Sequence, residues 1–92
     1  MSDPDTELVR CWLVERDHDQ RNLVTLTYAT PGGDRVFTRQ GSLETFQRRG
    51  GVTAAIEVDP ADLKPVEDPD RRERYATEVD RVRERHEPDE AI

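Results

Sequence analysis

Cys11 is the only cysteine, and His18 and His86 the only histidines, in a chain of 92 residues. A nucleophilic thiol needs a neighbouring base and an accessible, electropositive setting. Cys11 stands instead inside Cys11-Trp12-Leu13-Val14, the longest unbroken apolar run, where a thiol serves as a small core group. His18 belongs to a polar turn beyond that run and His86 to the far end of the chain, so no dyad is specified. Asp17-His18-Asp19 puts three ligating types in a row, but adjacent residues do not converge on one ion without an unusual loop. No second ligand cluster accompanies them, and no metal site is expected. Neither serine, Ser2 nor Ser42, sits in a nucleophile elbow. Gly32-Gly33 follows a proline and reads as a turn rather than a phosphate cradle. With 21 carboxylates in the chain, finding a pair of them carries no information. The expectation is no catalytic set, no cofactor and no enzyme.

Charge is distributed unevenly. Residues 1–19 carry a net −4, residues 20–56 a net +3 and residues 57–92 a net −6. The positive middle comes from Arg21, Arg35, Arg39, Arg48 and Arg49. Guanidinium groups suit bidentate recognition of phosphate or carboxylate. A helix start at Ser42 would add unpaired N–H groups nearby. Arg35, Arg39, Ser42, Arg48 and Arg49 therefore form a candidate anion site. Against it stands a plainer account, in which the arginines pair with the acidic ends of the same chain.

The elements that must position these residues follow from periodicity. Glu7 to Glu15 reads as a strand with Leu8, Trp12 and Val14 on one face and Val9, Cys11 and Leu13 on the other. Asp17 to Asn22 reads as a turn, and Leu23 to Thr30 as an alternating strand. Pro31-Gly32-Gly33-Asp34 supplies a hairpin turn, returned by a short strand from Arg35 to Gln40. Ser42 caps one or two helical turns carrying Leu43 and Phe46, ended by Gly50. Val52 to Val58 alternates strictly, Asp59-Pro60 starts a single turn through Leu63, and Pro65 and Pro69 bracket an extended linker. Asp68 and Pro69 then open a helix to about His86, with a narrow stripe of Tyr75, Val79 and Val82. The spacing also offers ion pairs at Asp70–Arg74, Glu78–Arg81 and Asp80–Arg83.

The fold class is thus α+β, one domain over 1–92 with flexible ends at 1–6 and 87–92. About four mainly antiparallel strands in the order β-β-β-α-β-α carry a C-terminal helix on one face. Apolar residues on both faces of the first strand require cover on both sides. Two modest helices cover only one side fully, so the other, Trp12 with Val14 or else Cys11 with Leu13, is expected to meet an identical copy, with Trp12 and Val14 as the interface candidates.

Formal net charge is −7, with hydrophobic residues at 33% and charged ones at 38%. The apolar run of four residues is far short of the roughly 20 a membrane span needs. The start, Met1-Ser2-Asp3-Pro4-Asp5, lacks the features of a secretory signal. Thirteen of the 14 basic residues are arginine, and threonine outnumbers serine eight to two. Carboxylates hold water and cations well, whereas lysine stems expose apolar surface that concentrated salt drives together. In this composition, and in runs such as Leu23-Val24-Thr25-Leu26-Thr27-Tyr28 and Val52-Thr53-Ala54-Ala55-Ile56-Glu57-Val58-Asp59-Pro60, the chain resembles small acidic proteins of unknown function from haloarchaea. The resemblance implies a salt-rich cytoplasm, and neither an activity nor site residues.

The expected function is a non-enzymatic protein-interaction module or homodimer; the alternative is an anion, nucleotide or nucleic-acid binder using the central arginines. Stacking aromatics near those arginines are limited to Tyr28 and Phe37, too few for an RNA-reading platform, so nucleic acid is not expected as a partner. Salt near 1 M also shortens screening to about 3 Å, which weakens attraction to phosphate backbones. Self-repulsion of the −7 charge at low ionic strength predicts that the melting midpoint rises from low to multimolar KCl. A midpoint that stays level or falls in a calorimetric salt series would remove that reading.

Overall fold

The protein, described over residues 7–48 and 50–92 of a computed structural model, is built on one antiparallel sheet of five strands in the order β4-β1-β2-β3-β5. Strands β1 (Val9–His18) and β2 (Leu23–Ala29) form the centre. Their turn is held by the Asp19 carboxylate, which accepts from the N–H groups of Arg21 and Leu23. β1 extends three residues past its expected end, and the turn shortens accordingly. The expectations for residues 1–6 and for Arg49 lie outside the described residues.

β2 is joined to β3 (Arg35–Ser42) by the Pro-Gly-Gly turn. Gly33 N–H donates to the Thr30 carbonyl at 2.8 Å, with Pro31 and Gly32 at the two central positions and Gly32 at φ +96°. This is the type II geometry that wants proline followed by glycine. The Thr30 hydroxyl donates to Asp34 Oδ1 at 2.8 Å and holds the Asp34 carboxyl below its usual range.

The last helix, α2 (Pro69–Arg85), begins where the sequence places it. Asp68 caps it by accepting from the Asp70 N–H, and Pro69 loses nothing at a position whose N–H has no helical partner. Tyr75 and Val79 are buried and Val82 is partly buried, against Trp12, Ala29, Ala54, Ala55 and Val66. Glu78–Arg81 and Asp80–Arg83 form ion pairs at 3.0 and 2.9 Å; Asp70–Arg74 is not among the ion pairs of the described residues.

The opposite face is covered by α1 (Leu43–Arg48), whose Phe46 packs with Cys11, Leu13, Val24, Leu26, Tyr28 and Val58. Ser42 Oγ accepts from the Thr45 N–H, and N–H groups of Gly50 and Gly51 close the helix onto the Gln47 and Phe46 carbonyls. Leu63, at the end of a single 3-10 turn (Pro60–Asp62), and Val52 pack against the rim of the same cluster.

Four expectations are corrected. Trp12 is only 6% exposed and packs within its own chain, so the open patch of Trp12 and Val14 does not exist. The second cover is supplied by α1 and the coil around it. A fifth strand, β5 (Lys64–Pro65), pairs with β3 inside the supposed linker. Strand β4 (Ala55–Val58) is shorter than the alternating run 52–58. The segment 87–92, expected to be a flexible end, runs along 52–55: Ala55 and Ala54 N–H donate to the Pro88 and Glu90 carbonyls, and Ile92 N–H donates to Val52. Ile92 packs against both core clusters.

Strand alternation also breaks at Val14. Leu13 faces Tyr28 and Glu15 faces Thr27, so Val14 is the extra residue of a bulge. The slip turns Glu15 to the α2 side, where Glu15 Oε2 accepts from the Tyr75 hydroxyl at 3.0 Å. Cys11 and Tyr28 are fully buried on the other side. Burial pushes the Cys11 thiol up to about 11, against a partial pull from Arg35. Burial raises the Tyr28 phenol too, with Arg39 pulling it back in part, and its hydroxyl meets no hydrogen-bond partner among the described residues.

Two outcomes follow from this packing. A Cβ on Gly33 would lie 2.3 Å from the Arg72 carbonyl and 2.6 Å from the Ala76 nitrogen, whereas Gly32 meets only Asp34 Oδ1 at 3.9 Å. Gly33→Ala should cost about 3 kcal/mol or more by prising α2 from the hairpin, and Gly32→Ala about 1–2 kcal/mol from backbone strain alone. Equal losses in urea denaturation would mean that α2 does not rest on Gly33. For Cys11, the folded chain keeps a proton that the unfolded chain releases near pH 9. Stability should therefore fall between about pH 9 and 11, by up to about 3 kcal/mol, and Cys11→Ala should flatten that decline in reducing buffer.

Candidate functional site

The structure disperses the side chains that the sequence offers as a candidate site. Arg35 and Arg39 lie on one face of β3 with Phe37 between them, about 13 Å apart at the usual strand rise. Ser42 spends its hydroxyl on the Thr45 N–H and the Thr45 Oγ1. Arg48 is exposed in the last turn of α1. These positions do not close around one anion. Among the described residues Arg35, Arg39 and Arg48 enter no ion pair. Asp17 and His18 are successive residues of β1 and point to opposite faces, while Asp19 is engaged by backbone.

What the fold assembles is a strand edge. Pairing of β2 with β3 runs from Ala29↔Val36 to Leu23↔Ser42, and the Thr30 N–H donates to the Arg35 carbonyl. Antiparallel alternation then turns the N–H and C=O of Phe37, Arg39 and Gly41 towards β2, and those of Val36, Thr38, Gln40 and Ser42 outward. The outward groups of Asp34 and Val36 are used, because Val66 N–H donates to the Asp34 carbonyl and Lys64 pairs with Val36. There the cover ends. Beyond β5, nothing among the described residues pairs with the outward backbone of Thr38 and Gln40.

The other sheet edge is treated differently. β4 is four residues long, its outward Ala55 N–H is taken by Pro88, and its exposed Glu57 pairs with Arg10 at 2.8 Å. Short length, charge and a covering segment are the usual protections of an edge. The stretch Phe37–Ser42 has Arg39 and little else.

Two clefts flank the point where β5 stops. On the α2 side a cleft of about 520 Å³ is lined by Thr27, Val36, Thr38, Arg71 and Tyr75 among others. On the α1 side a smaller one of about 190 Å³ is lined by Val36, Phe37, Thr38, Asp62 and Lys64. Both share Val36 and Thr38, so they open on opposite faces of the same edge. Phe46 anchors this end: its ring lies 3.3 Å from where a Gly41 Cβ would be, and the Arg39 guanidinium stands 5.4 Å over it. Two of the exposed large apolar residues, Leu23 and Leu43, sit at the same end, Leu23 opposite Ser42 and Leu43 next to it. No helix of the described residues is long and apolar enough to cross a membrane.

No curated protein and no solved structure matches the chain. The model of a family of unknown function, DUF7967, matches residues 5–92, which takes in every strand and both helices described above. The chain is a member of that family of unknown function.

Proposed function

We propose that the protein is a non-enzymatic interaction module that accepts an extended segment of a partner protein as an added strand along β3. The observation that carries this reading is the outward, unpartnered backbone of Thr38 and Gln40, flanked by a cleft on each face of the sheet. Strand addition takes its affinity from main-chain hydrogen bonds and its specificity from pockets that receive alternate side chains. Both ingredients are present, and β5 already occupies the first two positions of the lane. The composition supports a salt-rich cytoplasm as the setting, where burial and backbone bonds outlast long-range charge attraction.

A second copy is a poorer occupant than the sequence suggests. Antiparallel self-pairing centred on Arg39 sets Arg39 against its own copy, and like charges directly opposite are destabilising. It also sends the copy's Ser42 into the lane that Lys64 holds beside Val36, and the next residue into that of Pro65. Homodimerisation through Trp12 has lost its patch, since α2 covers that residue.

The test uses a capped hexapeptide, Thr-Val-Thr-Gln-Thr-Val, and amide exchange followed by NMR. In the free protein the Phe37, Arg39 and Gly41 amides should be protected, while those of Thr38 and Gln40 exchange quickly. Added peptide should slow Thr38 and Gln40 selectively. Gln40→Pro removes an outward donor from an edge strand and keeps the backbone bonds to β2, losing there only the exposed side-chain bond from Gln40 Nε2 to Thr25 Oγ1. It should weaken binding roughly tenfold, the worth of one lost hydrogen bond, with the melting midpoint little changed. Equal binding by Gln40→Pro sinks the reading, and protection that rises with protein concentration alone would assign the edge to a second copy.

A further inference from the structure

Resting on that reading, we infer that the segment accepted by β3 carries an acidic side chain opposite Arg39, between apolar side chains on the α1 face. Side chains of an added strand alternate between the two faces, in step with β3. Partner residues opposite Thr38 and Gln40 fall on the α2 face, and those opposite Phe37, Arg39 and Gly41 on the α1 face. Opposite Phe37 the partner meets the smaller cleft, where the Phe37 ring beside the Val36–Lys64 pair suits an aliphatic group of modest size. At Gly41 the Phe46 ring takes the space of the missing side chain and is itself only 5% exposed, so the second apolar contact at this end is the exposed Leu43.

Arg39 lies between these two apolar positions. Its guanidinium is stacked over Phe46 and enters no ion pair among the described residues. Stacking leaves the edge of a guanidinium plane free to donate to a carboxylate. On this face β3 carries Arg35 and Arg39, and Asp62 beside the smaller cleft is negative; Lys64, opposite Val36, belongs to the α2 face. The balance favours an anion on the incoming strand. On the α2 face the wider cleft presents the Thr27 and Thr38 hydroxyls, and Glu67 and Asp68 outnumber Arg71 among its lining residues, which suits a small uncharged polar or β-branched side chain and disfavours an anion. The recognised pattern is therefore apolar, acidic, apolar on alternate residues, with threonine-like residues between them.

Three peptides separate this inference from the reading beneath it: Thr-Val-Thr-X-Thr-Val with X as glutamate, glutamine or lysine. Binding is measured by fluorescence anisotropy in 0.15 M and 2 M KCl, with Thr38 and Gln40 amide exchange as the reporter of site. The glutamate peptide should bind about threefold tighter than the glutamine one, and the lysine peptide weaker than both, as expected for one cross-strand charge pair. A contact pair should keep its order of preference in 2 M KCl while the differences shrink. Arg39→Glu should reverse the order, favouring lysine, and Arg39→Gln should level it; loss of packing on Phe46 would do neither. Three peptides that bind equally and protect Thr38 and Gln40 overturn the acidic preference and leave strand addition standing. No protection of those amides by any peptide overturns both.

Discussion

A strand with apolar side chains on both faces has to be covered twice, and a chain of 92 residues that is one-third apolar has little to cover it with. β1 imposes that demand: Cys11 and Leu13 face one way and Trp12 the other. One long helix meets it on the Trp12 side. The other side is closed by six helical residues, a 3-10 turn and the coil around them. Helix α2 can approach closely enough only because the hairpin beneath it ends in a residue without a side chain, Gly33. The position serves two needs at once, a left-handed turn and a helix seat. Small changes at that point reach the whole α2 face.

Having spent its helices on the faces, the chain handles its sheet edges with short pieces of backbone. The segment 88–92 covers one edge beside 52–55, and β5 covers the first two residues of β3. These are economical devices, since a two-residue strand satisfies polar backbone without adding apolar surface. They are also incomplete. Because β5 begins only at Lys64, after the 3-10 turn, the outward groups of Thr38 and Gln40 are left without a backbone partner among the described residues. A natural edge of this kind is normally blunted by lysine, proline or a bulge. Phe37–Ser42 has none of these, and the bulge that the sheet does contain lies on β1.

The legible parts of the fold were those written in local chemistry. Asp68-Pro69 marks a helix start, Pro31-Gly32-Gly33 a turn, and Tyr75, Val79 and Val82 a buried stripe; each depends on neighbours in sequence alone. β5 was not legible, because two residues have no periodicity and Pro65 reads as a breaker. The role of 88–92 was hidden for a related reason: its pairing uses backbone, and its side chains Pro88, Asp89 and Glu90 look like a solvated tail. Trp12 was misplaced by counting only helices as cover. The bulge at Val14 was equally invisible, since the residues on either side alternate well enough to continue a regular strand. The candidate site escaped because it consists of main-chain groups at an edge, and which strand becomes an edge is a property of topology. Arg39 is the one side chain beside this edge that the sequence singles out, and it does so in a grouping that the structure does not bring together.

That grouping matters for how such a surface works in salt. A cluster of arginines recruiting a distant polyanion relies on fields that fall away within a few ångströms near 1 M salt. A strand edge relies on hydrogen bonds formed at contact and on apolar burial that salt strengthens. A charge placed beside such an edge, as Arg39 is, acts only once the partner has docked. It then discriminates between strands of similar shape instead of attracting them. Under the proposed strand addition the acidic surface and the open edge are compatible features of one protein: the surface would keep the chain hydrated, and the edge would confine association to one lane. The low apolar content has the same consequence from the other direction, because a chain with no apolar area to spare can still bind through its backbone.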